Sequence, residues 1–145
     1  MKYSSVNKLS DFYFEDAIMK LVNYSDNVLV VDVKYLNISK FASQNPEKFD
    51  MEISLARITF TDFYVKTFKM EEPPMIIEGK EAEEKFISEI KYGMDIYDNF
   101  EATENASYRI EGSAIDPFFI VDISFDSITV EWDEYRKKSW YEEER

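Results

Sequence analysis

Residues 118–135, FFIVDISFDSITVEWDEY, carry the clearest pattern in the chain, and the reading of the fold turns on them. Phe119, Val121, Ile123 and Phe125 alternate with Phe118, Ile120, Asp122 and Ser124. After Asp126 and Ser127, the alternation resumes with Ile128, Val130 and Trp132 against Thr129, Glu131 and Asp133. Period two in β-branched and aromatic residues predicts strands. Two such runs separated by two polar residues predict a hairpin. Phe125 then faces Ile128, Ile123 faces Val130, and Val121 faces Trp132. Asp122 opposes Glu131 on the other face, a like-charge contact that destabilises a strand pair. Phe118 and Ile120 make the first strand apolar on both faces at its start, as expected of a central strand.

Working outward, Val28 to Leu36 reads as a strand, with Leu29, Val31, Val33 and Tyr35 on one face. Ile18 to Tyr24 fits a short helix or a strand. The turn cluster Ser25-Asp26-Asn27 favours a strand that leads into Val28. Residues 37–50 read as a loop. Met51 to Met70 is β-prone, with a slip near Ala56-Arg57 and a break at Thr61-Asp62. Pro73 and Pro74 stop it, because proline cannot donate to a ladder. Residues 79–92 predict the one helix, with Ala82, Phe86, Ile87 and Ile90 as its apolar stripe. Glu81 and Lys85 make an i,i+4 pair, and Gly93 supplies a left-handed cap. Ala106 to Gly112 reads as a short strand, and residues 134–145 as a short helix or a tail. These elements amount to one α+β domain over residues 1–145. It is a mainly antiparallel sheet of about six or seven strands with one helix covering a face. A β-sandwich or a partly open barrel is the alternative.

Composition narrows the chemistry. The chain has 145 residues, 45% hydrophobic and 17% aromatic, enough to bury a core. It contains no cysteine and no histidine. Disulfides, thiolate metal sites and every Ser-His or Cys-His nucleophile pair are therefore excluded. The net charge of −13 repels nucleic acid and anionic membranes and suits a basic protein partner. No signal-peptide core and no run of membrane-spanning length are legible, so a cytoplasmic location is expected. The triplets beginning at Asn23, Asn37 and Asn105 match the glycosylation acceptor pattern, and without a secretory signal they read as chance matches.

Three groups are candidate sites. Asp122, Glu131 and Asp133 form the acidic hairpin face, suited to cations, either the lysines and arginines of a partner or a hard metal, or else a solvated outer face. Trp140 and Tyr141 are candidate partner-binding anchors, since large rigid aromatics bury much area at small entropic cost. Trp132 is read as core. Glu15 and Asp16 are adjacent carboxylates beside Phe12 and Phe14, and read as a turn or cap. The segment Asp95 to Glu101 lacks the glycine that a calcium loop needs. No cofactor and no metal are expected.

The motif Phe14-Glu15-Asp16-Ala17, followed by meander strands, resembles small acidic β-rich bacterial families of uncharacterised proteins. Some of these are similar to immunity proteins of polymorphic toxin systems. The resemblance implies a non-enzymatic protein-binding module, of immunity type, that neutralises a basic toxin. The alternative is a small-molecule-binding or hydrolytic α+β domain using carboxylates and tyrosines. A homodimer joined through an edge strand is a third reading.

Overall fold

The computed structural model describes residues 1–103 and 107–142. The Asn105 acceptor pattern, the predicted strand start at Ala106 and the end of the acidic tail lie outside them. The described residues form fifteen strands and one α-helix. The first strands are β1 (Tyr3–Val6), β2 (Phe12–Tyr13), β3 (Ile18–Ser25), β4 (Val28–Lys34) and β5 (Asn37–Ile38). Then come β6 (Met51–Ile53), β7 (Ala56–Thr61), β8 (Tyr64–Glu71), β9 (Pro74–Glu78) and α1 (Gly79–Ile90). The chain continues with β10 (Met94–Ile96), β11 (Glu101–Thr103), β12 (Ser107–Ser113), β13 (Phe119–Ser124), β14 (Ser127–Trp132) and β15 (Tyr135–Lys138).

The fold is α+β and antiparallel, but the expected six or seven strands are too few. Eleven strands belong to one sheet, in the order β1-β14-β7-β4-β3-β10-β12-β13-β8-β9, with β11 beside β12. Four more, β15-β6-β5-β2, make a second sheet. The undercount has a local cause. Strands of two or three residues, such as β2, β5, β6 and β10, are too short to show a period. The loop predicted over 37–50 hides one of them, β5, and the segment after 134, predicted as a short helix or a tail, holds the four-residue β15.

The predicted hairpin over 118–132 does not form, although both of its strands do. β13 pairs with β8 and β12, whereas β14 pairs with β7 and β1. Val121 lies opposite Phe68 and Ile110, and Val130 opposite Ile58 and Ser5. β7 and β8 part in the same way at Asp62-Phe63. Two chain segments thus run together around one corner. The path through β4, β3, β10 and β12 returns to β13, and the chain itself, at Phe125-Asp126, links β13 back to β14. The corner is packed by rings: Phe125 meets Phe60 edge-on at 5.0 Å and stacks on Tyr108 at 5.1 Å.

One hydrophobic core joins the inner faces, including Leu29, Val31, Ile58, Phe68, Phe119, Val121, Ile123, Val130 and Trp132. Trp132 is fully buried against Tyr3, Phe12 and Tyr135. α1 lies on β8, β3 and β9 and buries Ala82, Phe86 and Ile90, with Ile87 half-buried. Gly93 has φ +91° and donates to the Ile90 carbonyl at 3.2 Å, the predicted left-handed stop. Lys85 does not pair with Glu81. Its Nζ is 2.8 Å from Asp116 Oδ2 and 3.7 Å from the fully buried Glu89. Tertiary contact with the 114–117 turn outweighs the weak helix-surface pair.

Candidate functional site

The second sheet builds a cleft. β2 contributes Tyr13, and Glu15 lies two residues beyond it. β5 contributes Asn37, and Asp50 sits just before β6. Trp140 and Tyr141 lie in the single 3-10 turn after β15. Asn99 closes the far side. Together these seven residues line a cavity of about 280 Å³. Residues distant in sequence meet here because β2, β5, β6 and β15 are hydrogen-bonded neighbours.

Buried polar bonds hold the cleft in shape. Asp50 is 7% exposed. Its Oδ1 accepts from the Lys40 N–H at 2.7 Å, and its Oδ2 accepts from the Tyr141 hydroxyl at 2.8 Å. The Asp50 carbonyl accepts from the Ser139 N–H at 2.9 Å. The Ser139 hydroxyl in turn donates to Asn37 Oδ1 at 2.6 Å. Buried polar groups satisfied this fully are rigid. Burial raises the Tyr141 phenol above its ordinary value, and the hydrogen bond to the Asp50 carboxylate adds to the rise. Its proton is therefore held tightly.

The walls are aromatic. Tyr13 meets Tyr141 edge-on at 6.2 Å, and Trp140 meets Tyr141 edge-on at 5.5 Å. Trp140 is 44% exposed and keeps ring surface open to solvent. Among the described residues, the lining holds two carboxylates, Glu15 and Asp50, and no lysine or arginine. Ring faces beside carboxylates attract a cation twice, through the ring quadrupole and through charge. Comparison with protein-family models, curated proteins and solved structures finds no significant match to this chain.

The acidic hairpin face is not assembled. Asp122 lies on β13, where its Oδ1 accepts from Arg109 Nε at 3.1 Å and its Oδ2 from Thr67 Oγ1 at 3.0 Å. Glu131 lies on β14, opposite Arg57 and Ser4 rather than Asp122. Arg57 is itself held by both carboxylate oxygens of Asp32, at 3.0 and 3.2 Å. Asp133 accepts from the Lys2 backbone N–H at 3.0 Å. The expected like-charge contact is thus replaced by arginine partners across the strands, and removing Asp122 would strip Arg109 of its counter-charge. Of the predicted binding residues, the structure brings Trp140 and Tyr141 into the cleft together with Glu15. Asp50, Asn37 and Asn99 were not legible as site residues, since no local spacing joins them. Among the described residues no group of three or more acidic side chains is placed to hold a metal ion.

Proposed function

We propose that the protein is a non-catalytic binding module for a basic protein partner, with the Trp140–Tyr141 cleft as the seat for a lysine or arginine side chain of that partner. The observation that carries this reading is the lining itself: two carboxylates and three aromatic rings with no cationic residue among the described ones. The net charge of −13 supports it by drawing a basic partner in and speeding encounter. An immunity-type role, covering a basic toxin, is the specific form of this proposal.

A hydrolytic use of the same carboxylates and tyrosines is less well supported. Both Asp50 oxygens already accept hydrogen bonds, and Tyr141 holds its proton more tightly than a free phenol. A general base or nucleophile needs a free lone pair or an easily lost proton.

The test starts with affinity capture on the full chain, followed by binding kinetics of the captured protein at two salt concentrations. The partner should be basic, and association should slow as salt rises. Trp140→Ala should weaken binding by about 10- to 30-fold, the range of an aromatic hot spot, mainly through faster dissociation. Glu15→Gln should weaken it less. An acidic partner, or a Trp140→Ala variant that binds as the parent does, would falsify the proposal.

A further inference from the structure

The cleft does not stop at Asn99. The same residue lines a second, larger cavity of about 580 Å³. Its walls include Leu9, Phe100, Tyr108, Phe125 and Ile128, and its rim carries Asp126. Phe100, Tyr108 and Phe125 are each only partly buried, so they present apolar surface to whatever fills the space. Here too, no lysine or arginine lines the cavity among the described residues. The two cavities therefore adjoin and share one sign of charge, but they differ in chemistry. One is ringed by aromatics and carboxylates, the other is mostly apolar.

Asn99 is fixed at their junction. Its Oδ1 accepts from the Phe14 N–H at 3.0 Å, and Phe14 stacks on Phe100 at 4.1 Å. With the oxygen engaged, the amide nitrogen keeps its donors, for which the described residues supply no acceptor. A peptide carbonyl is the acceptor that an extended chain passing this point would bring.

Resting on the function proposed above, we infer that the two cavities are one groove for an extended segment of the basic partner. An arginine or lysine side chain enters at Trp140, and a large apolar side chain enters between Phe100, Tyr108 and Phe125. Asn99 donates to a main-chain carbonyl between them. The charge balance selects a basic segment over an acidic one. The contiguity of the cavities selects one chain over two separate ligands, because joining two weak contacts makes the second intramolecular.

The experiment uses N-acetyl-arginine amide, N-acetyl-leucine amide and capped Arg–Leu peptides with one to three glycines between the two residues. Each is titrated into the full chain and followed by NMR. The arginine amide should move the Trp140 indole resonance, and the leucine amide those of Tyr108 and Phe125. The best linked peptide should bind about 10-fold or more tightly than the arginine amide. Ala102 is an exposed residue of β11 on the larger cavity, so Ala102→Phe should fill that space. It should remove the gain of the linked peptide and leave the arginine amide unaffected; Ala102→Leu serves if the larger ring lowers the melting temperature. The groove is overturned if no linked peptide binds more tightly than the arginine amide, or if filling the larger cavity leaves the gain intact. In both of those outcomes the Trp140 seat still stands. If the arginine amide leaves the Trp140 resonance unmoved, both readings fail.

Discussion

Two short connections, Asp26-Asn27 and Phe125-Asp126, each join strands rich in β-branched and aromatic residues, and they send the chain in different directions. After Asp26-Asn27 the chain doubles back, with Ser25 opposite Val28 and Tyr24 opposite Leu29. After Phe125-Asp126 it moves on to a new neighbour. Asp26 and Asn27 both have positive φ, 51° and 60°. That is what a two-residue turn needs to match the twist of a hairpin. Short polar side chains tolerate this backbone. Neither residue at the corner has positive φ. Phe125 instead buries its ring against Phe60 and Tyr108, and the Asp126 N–H donates to the Thr61 carbonyl at 2.8 Å. Alternation predicts a strand, but turn chemistry decides what the strand pairs with.

Trp132→Ala removes the largest ring of β14 and leaves a cavity, so it should cost about 3–5 kcal/mol. Urea midpoints measure it, and a parent-like midpoint would show that β14 is not central. Installing a hairpin turn at the corner, Phe125→Asn with Asp126→Gly, should cost about 2–3 kcal/mol. It discards a partly buried ring and favours a reversal that the core cannot accommodate. If the double variant is as stable as the parent, the corner is merely a hairpin that was never formed.

Asn27→Ala should cost about 1–2 kcal/mol, since alanine resists positive φ. Asp126→Ala should stay within about 0.5 kcal/mol, as an exposed residue with ordinary backbone. Equal losses at the two sites would erase the distinction.

The smallest effect is in pH. Burial, and then the hydrogen bond to Glu83, raise the Tyr24 phenol on the hairpin strand. A raised value means that the folded chain keeps a proton the unfolded chain gives up. Its contribution is therefore complete below pH ~10, the unfolded tyrosine value. It is lost as pH rises from there through the folded value. Lys85, raised chiefly by its bond to Asp116, acts with the same sign. Stability should fall above pH ~10, and Tyr24→Phe should flatten that fall. A Tyr24→Phe variant with the parent's alkaline slope would show that Tyr24 titrates as it would in water.

Much of the local structure was legible. The helix, its buried stripe and its glycine stop followed from spacing alone. So did β4, β13 and β14, and the burial of Trp132, whereas the spacing of β3 fits helix or strand and only the turn cluster after it favours strand. In the cleft, Trp140 and Tyr141 stood out by residue type. Glu15 reads locally as a turn residue, because apart from Tyr13 its neighbours in the cleft are distant in the chain. Asp122 and Glu131 face each other only if β13 pairs with β14, which it does not. Because β13 lies between β12 and β8, and β14 beside β7, Asp122 meets Arg109 and Glu131 lies opposite Arg57 instead.

The sequence alone marked the helix and the longer strands, though not the short ones, and it ruled out histidine and cysteine chemistry. Those properties are written in residue identity and in spacings of two, three or four, which act before the chain has folded. Only the tertiary structure decided which strands became neighbours, and so what Asp122 faces and what gathers around Trp140. It also decided that Gly112 must be a glycine: a Cβ there would lie 2.2 Å from the Asp95 carbonyl oxygen, where β12 crosses β10. Nothing near Gly112 in sequence announces that contact. Pairing is chosen by burying whole faces at once, and a face is completed by residues that no local pattern connects.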